Sequence, residues 1–334
     1  MSTSKDDASK SNDDGVCEVN DMLQNMTTGD NNSASVCANC GKEGDDVNNI
    51  CNKCKQVKYC NATCKKKHKK KHKKQCKEHI RLASERAAEL HDIELFKQPP
   101  QAEDCPICFL RIPELYSGWR YQSCCGKVIC SGCFYAPVYD NQGNKVKKKC
   151  SFCRVPFAKS KEEACQIVNK RAEVGDPIAI YNVGNFYTDG SWGFPQDHTK
   201  AIELWQKAGD LGYAKAYGNI GHFYEVGSKE VEVDMNKAKY YFELAARGGD
   251  IKARHNLGHM EGRAGDSRTL THLMIAVKGG NNESLKLIQS MYLNGYTSKE
   301  VYAKALQSYQ EYLGEIKSDQ RDKAAAFDED FRYY

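Results

Sequence analysis

"AIYNVGNFYTDG" (179–190) and "AYGNIGHFYEVG" (216–227) are two copies of one pattern, related by a shift of 37 residues. "ARHNLGHMEGRAG" (253–265) follows at the same shift, so Gly184, Gly221 and Gly258 are equivalent positions. So are Asp197 and Asp234, Lys200 and Lys237, and Ala208 and Ala245. The shift then shortens to 31, taking Ala245 to Ala276 and Leu257 to Ile288. A period in the thirties, with two helix-length segments per unit, predicts a helical solenoid. The repeated glycine predicts a close crossing of the two helices in each unit, and Asp197 and Asp234 are placed to cap the second helices. Tyr187, Tyr224, Trp205 and Phe242 fall at repeat positions and are expected in the core. His255 and His259 have helical i, i+4 spacing, which could chelate a metal. Asn256, however, stands where a metalloprotease motif needs Glu, and His259 is the repeat equivalent of His222 and Asn185. A polar repeat position is the reading preferred.

Working outward from the repeats, the rest of the 334-residue chain is dominated by cysteine, with seventeen in all. The N-terminal "MSTSKDDASKSNDDGV" is polar and acidic and lacks the apolar segment of a secretory signal. No apolar run reaches the 18 or so residues of a membrane span. The thiols are therefore expected in a reducing compartment, cytoplasm or nucleus, where clustered cysteines point to metal rather than disulfides. Their spacing agrees: CxxC pairs at 37/40, 51/54, 105/108, 130/133 and 150/153, with a looser pair at 60/64. A CxxC turn brings two thiolates onto one zinc ion. Cys17 and Cys165 are left over as free thiols. A net charge of +5 does not describe a polyanion binder, but nine lysines crowd between Lys65 and Lys77. That run reads either as a solvated helix face or as a nucleic-acid patch or import signal; it lacks the interleaved aromatics of a single-strand binding surface. No phosphate-binding glycine loop, catalytic triad or paired carboxylates are found, so no catalytic residue is named.

The first cluster reads Cys37-x2-Cys40-x10-Cys51-x2-Cys54-x5-Cys60-x3-Cys64-x7-His72-x3-Cys76, eight ligands for two tetrahedral sites. It resembles a MYND-type zinc finger, down to Tyr59 before Cys60 and the closing HxxxC. The resemblance implies interleaved sites: Cys37, Cys40, Cys60 and Cys64 on one zinc, and Cys51, Cys54, His72 and Cys76 on the other. Forty residues bury too small a core to fold unaided, and structural zinc, worth roughly 10–16 kcal/mol per site, makes up the deficit. Where the family commonly has an aromatic residue three before the histidine, this chain has Lys69, beside His68.

The second cluster is Cys105-x2-Cys108-x15-Cys124-Cys125-x4-Cys130-x2-Cys133-x16-Cys150-x2-Cys153. "CPIC" and "CSFCR" look like a RING-type finger, and the adjacent Cys124 and Cys125 match an all-cysteine variant. Lys127 stands two residues after Cys125, where the common form has its histidine. The resemblance implies crossed bracing, with Cys105, Cys108, Cys130 and Cys133 on one ion and Cys124, Cys125, Cys150 and Cys153 on the other. Whether both Cys124 and Cys125 bind stays open at this point. The family implies contacts to a ubiquitin-conjugating enzyme from Ile107, Arg154 and Pro156, with Arg154 polarising the donor thioester. Ser151 replaces a proline often found after the seventh ligand.

The repeats resemble Sel-one-like repeats of the tetratricopeptide superfamily, strongly in the first two units and with drift in the third and fourth. That resemblance implies a protein-binding superhelix. The expected architecture is multidomain: two small zinc-stapled α+β fingers joined by a helix, then an all-α solenoid of paired antiparallel helices. The expected segments are a disordered polar tail (1–36), a MYND-type finger (37–76), a helical linker (77–100) and a RING-type finger (101–158). Sel-one-like repeats (165–315) and a C-terminal cap (316–334) over the last repeat complete it. "QPP" at 98–100 should stop the linker helix, in which Ile80, Ala83, Ala87, Leu90 and either Ile93 or Glu94 fall near a helical period. The functional expectation is an intracellular protein-interaction protein holding four zinc ions, either a RING-type ubiquitin ligase whose repeats select substrate or a non-enzymatic scaffold. Its partners are proteins rather than nucleic acid or membrane.

Overall fold

The computed structural model describes residues 35–334 apart from 99, 101–102, 115, 140–141, 143 and 147–148. The tail expected over 1–36 and its Cys17 lie almost wholly outside the described residues. The chain divides into two compact units, 1–95 and 96–334.

In the first unit a two-stranded antiparallel ribbon, β1 (Asn49–Ile50) and β2 (Lys58–Tyr59), precedes one long helix, α1 (Ala62–Leu95). The helix expected over 77–97 is thus only the second half of α1, which starts inside the finger. Its first half is shaped by the ligand spacing. Cys64, His68, His72 and Cys76 recur every four residues and line one face, with Cys64, His72 and Cys76 buried. The lysines take the rest of the circumference and are exposed, except Lys65. Its ammonium donates to Ile50 O and Asn52 Oδ1, both at 2.6 Å, and so pins α1 to the ribbon. Toward the C-terminus Ala83, Ala87 and Leu90 of the apolar period are half-buried while Ile80 and Ile93 are exposed, and the helix ends at Leu95, just before the proline pair. The finger's own core is small, with Val47 and Tyr59 packed among ligand cysteines.

The second unit opens with the second finger. Its main ribbon pairs β3 (Trp119–Gln122) with β4 (Lys127–Cys130), Trp119 opposite Cys130 and Gln122 opposite Lys127. A short helix, α2 (Ser131–Tyr135), follows at once, and a second ribbon joins β5 (Val138–Tyr139) to β6 (Lys145–Val146). Helix α3 (Lys161–Glu173), capped by Ser160 on Glu163 N, leads into the solenoid.

The solenoid consists of four helix pairs: α4 (Pro177–Asp189) with α5 (His198–Asp210), α6 (Lys215–Val226) with α7 (Met235–Arg247), α8 (Ile251–Arg263) with α9 (Thr269–Lys278), and α10 (Asn282–Leu293) with α11 (Lys299–Ile316). The repeat rule is visible atom by atom. A Cβ at Gly184 would stand 2.7 Å from the Trp205 ring, at Gly221 2.7 Å from Phe242, and at Gly258 2.8 Å from Leu273. In each of the first three units one glycine therefore receives one large, buried side chain from its partner helix. Asp197 caps α5 on Lys200 N (2.8 Å) and Asp234 caps α7 on Asn236 N and Lys237 N (both 3.0 Å). The connections 190–197 and 227–234 shrink to 264–268 and 294–298 in the later pairs, which is the drift seen in the sequence. His255 donates to or accepts from Ser284 Oγ (2.8 Å), and its other ring nitrogen lies 3.8 Å from Glu283; among the described residues it joins no metal-ligating group.

The C-terminal helix α12 (Asp319–Phe327) is followed by a tail whose Tyr333, with Ala325 of α12, packs against Tyr312 and Ile316 of α11, but the helix has a second partner besides the last repeat. It turns off the end of α11 and packs along α2 of the second finger. The finger is bound to the repeats elsewhere as well. Glu114 lies 3.4 Å from Lys215, whose ammonium sits 5.3 Å over the Trp119 ring; Tyr312 Oη accepts from Glu114 N (2.9 Å); and Arg111 pairs with Glu315 (2.6 Å).

Candidate metal centres

Sixteen side chains gather into four groups: Cys37, Cys40, Cys60, Cys64; Cys51, Cys54, His72, Cys76; Cys105, Cys108, Cys130, Cys133; and Cys124, Cys125, Cys150, Cys153. Within each group the candidate ligand atoms all lie within 4.8 Å of one another. A tetrahedron with Zn–S bonds of about 2.3 Å has S···S edges of about 3.8 Å. The closest approaches fall around that value: Cys40–Cys60 and Cys60–Cys64 at 3.6 Å, Cys51–Cys76 and Cys108–Cys130 at 3.8 Å, Cys124–Cys153 at 3.4 Å and Cys125–Cys150 at 4.0 Å. In the one mixed group Cys54 Sγ stands 3.3 Å from His72 Nε2. None of the described cysteines is paired in a disulfide.

The backbone explains why the sulfurs converge. After the second cysteine of a pair the chain enters the left-handed region: Gly41 (φ 72°), Lys55 (56°), Phe109 (58°), Gly126 (72°) and Arg154 (65°). At four of these turns that residue's N–H returns to the carbonyl of the first cysteine, as in Lys55 N to Cys51 O (3.0 Å) and Arg154 N to Cys150 O (3.0 Å). The first cysteine in turn donates to a carbonyl beyond the turn, Cys105 N to Leu110 O at 2.9 Å and Cys150 N to Val155 O at 2.8 Å. Both side chains are thereby held on one side of a tight loop. A non-glycine residue at positive φ is strained, and its recurrence at Lys55, Phe109 and Arg154 is the mark of a loop fixed by what its cysteines hold.

Cys124 and Cys125 depart from this turn. Gln122 occupies the place of a first cysteine, its carbonyl accepting from Cys125 N (3.1 Å) and Gly126 N (2.7 Å). The two thiols sit at the tip of the β3–β4 hairpin, and both reach the group with Cys150 and Cys153. Gly126 is favoured by its positive φ, and the Arg171 guanidinium lies in the space a Cβ would take.

The electrostatics also suit a dication. Burial opposes ionisation of Cys37, but hydrogen bonds to the backbone at Cys60, Asn39 and Cys40 outweigh it and bring the thiol down to about 6. Cys51 falls to about 6 in the same way, against burial, through the backbone at Cys54 and Lys53 and the side chains of His72 and Cys54. Their neighbours move the other way. Burial and then hydrogen bonding to Cys64, Cys37 and Cys40 push Cys60 up to about 12, and burial with Cys51 and Cys54 pushes Cys76 to about 11. Thiols packed this closely ionise at one another's expense, and a divalent cation among them removes the conflict. The donor sets fit zinc: four thiolates at three sites, three thiolates and an imidazole at the other.

Two features were not read from the sequence. His68 stacks on His72 (5.7 Å between ring centroids) and meets Tyr59 Oη through Nδ1 at 3.2 Å, so this histidine supplies aromatic packing beside Lys69. Asn39 and Asn61 donate to Cys64 Sγ (3.4 Å) and Cys60 Sγ (3.3 Å). Cys165 lies in α3, 3.6 Å from the Asn169 amide, and belongs to none of the four groups. Ile107, Arg154 and Pro156 are exposed on the second finger.

The fold and the four groups define a zinc-finger protein with helical repeats. Residues 37–76 match the family model of the MYND finger, and residues 177–213 and 214–250 match that of the Sel1 repeat. No RING finger is identified by family model in the second cluster. Among solved structures the chain is similar to a Sel1 repeat protein from Oxalobacter formigenes, with 27% identity over 52% of this chain and 67% of that one and a TM-score of 0.41. It is also similar to a protective antigen of uropathogenic Escherichia coli displaying an SLR fold (18% identity, 52% and 43%, TM-score 0.41). A third similarity is to an immunity protein from Pseudomonas aeruginosa (23% identity, 58% and 71%, TM-score 0.34). The chain thus spans less than half of the Escherichia coli protein. No curated protein matches the chain. Among the described residues no helix is long and apolar enough to cross a membrane.

Proposed function

We propose that this is a zinc-fastened protein-interaction protein of a reducing compartment, cytoplasm or nucleus. In this reading its second finger recruits a ubiquitin-conjugating enzyme and its repeats select the protein to be modified. The zinc ions are structural: with four protein ligands each, they leave no open position for a reacting water. The observation that carries the reading is the interleaved grouping of the second finger with Ile107, Arg154 and Pro156 all left exposed. Phe109, Phe152 and Val155 are exposed on the same finger, an apolar surface that a partner protein would cover.

The test uses the full chain and a panel of ubiquitin-charged conjugating enzymes, with Ile107→Ala and Arg154→Ala beside the parent. Stimulated discharge that both substitutions reduce supports the reading. No stimulation across the panel, or equal stimulation in both variants, removes it. A scaffold without ligase activity is then the reading left, and two observations favour it already: Ser151 in place of proline, and α12 lying along the finger helix.

A further inference from the structure

The group formed by Cys105, Cys108, Cys130 and Cys133 is the most buried of the two in its finger; Cys105, Cys130 and Cys133 are closed from solvent. Four thiolates around a dication carry a net charge of −2, and holding that charge away from water is costly unless a counter-charge is supplied. The C-terminal helix supplies one. Arg321 is fully buried, with Nη1 donating to Ile316 O (2.6 Å) and Nη2 to Leu110 O (3.4 Å), and Nη2 stands 3.9 Å from Cys108 Sγ. Gln320 beside it places Oε1 3.9 Å from Cys133 Sγ. The approach is cut to fit: a Cβ at Gly132, between Cys130 and Cys133, would stand 2.9 Å from Arg321 Cγ and N.

We infer that Arg321 is the counter-charge of this metal site, so that the finger's grip on its first ion depends on the far end of the chain. The inference rests on the reading that the four cysteines hold zinc. The guanidinium suits the task because it stays protonated when buried and directs several donors at once. The strap that carries it is fastened independently. Phe327 meets Tyr135 (5.0 Å between centroids), Phe331 meets Phe134 (6.0 Å), Arg120 donates to Asp330 O (2.6 Å), and Ser117 Oγ donates to Arg332 O (2.6 Å). None of these contacts involves Arg321, so Arg321→Gln and Arg321→Lys can separate charge from docking.

The experiment titrates full-length zinc-loaded protein with a chromophoric chelator and counts zinc released per chain, for the parent, Arg321→Gln and Arg321→Lys. Circular dichroism follows the repeats in parallel. The expected result is that Arg321→Gln releases one zinc at a chelator concentration at least tenfold lower, as altered outer-shell partners of metal sites do, and that Arg321→Lys restores most of the difference. Equal release from parent and Arg321→Gln overturns the inference, and so does equal weakening in Gln and Lys, which assigns Arg321 to docking alone. A parent protein that binds no zinc in the second finger fails the underlying reading instead.

Discussion

The two fingers hold the same kind of cargo in opposite settings. The first is made of a ribbon and one face of α1, and its interior is little more than Val47, Tyr59 and its ligands. The second has buried Trp119 and Ile129 of its own, and it leans on Lys215, on Tyr312 and Glu315 of α11, and on the whole of α12. One finger has little besides its candidate metal ligands to fold around. The other is a fold that the rest of its unit also supports. The difference shows that eight ligands at regular spacing specify where ions go without specifying how much stability depends on them.

Removing the metal breaks that comparison most forcefully. Each structural zinc contributes roughly 10–16 kcal/mol, far more than the first finger can recover by packing. Stripping zinc from reduced protein with a strong chelator should abolish hydrogen-exchange protection across 37–60 entirely. Protection should be only partly lost in β3, β4 and α2, and unchanged in the four helix pairs. Full retention of protection in the first finger would show that its ligands are incidental to its fold.

A core truncation in the repeats sharpens the contrast from the other side. Trp205 is buried against Gly184, and its Nε1 donates to Asn185 Oδ1 (3.1 Å) and Tyr181 O (3.3 Å). Trp205→Ala removes the ring that fills this crossing and leaves a cavity between α4 and α5, at a cost of about 3–5 kcal/mol. The expected outcome is a lowered thermal midpoint for the repeats with zinc content per chain unaltered. A loss of zinc in step with the repeats would mean that the second finger takes its fold from the solenoid.

How legible these arrangements were in the sequence depends on the range of the interaction. The crossing at Gly184 was legible because it recurs: a glycine and a bulky partner repeat at a fixed shift. The caps at Asp197 and Asp234 are local and were legible for the same reason. The sulfur groups follow from pair spacing and from the resemblance to known fingers. What was hidden joins distant segments without any repeat to announce it. Arg321 lies over 200 positions from Cys108, in a polar tail whose texture equally suits a helix over the last repeat. Lys65 was lost among its neighbours in the lysine run, because nothing local distinguishes the one that reaches Ile50 O. The lysine run already suggests a helix face; its continuity with the helix after it stays hidden, because the ligand spacing marks the finger's end at Cys76 and nothing local joins the two segments into one helix.

The smallest expected effect tests whether the repeats are held by many modest contributions, as against the few large ones of the fingers. Asp197 Oδ1 accepts from Lys200 N, and Asp197 N donates to Tyr187 O at 2.8 Å; in the next unit Asp234 N meets Tyr224 O at the same 2.8 Å. Side chain and backbone of one residue thus start the second helix and close the turn from the first. Asp197→Ala keeps the backbone bond and deletes only the cap, so it should cost about 1 kcal/mol. Asp197→Asn, which can still accept, should cost much less. Denaturant midpoints of the repeats measure both. Because neighbouring repeats are coupled through their interfaces, the double change Asp197→Ala with Asp234→Ala should cost at least the sum of its parts. A double variant that costs clearly less would show that the first two units share one start signal rather than each carrying its own.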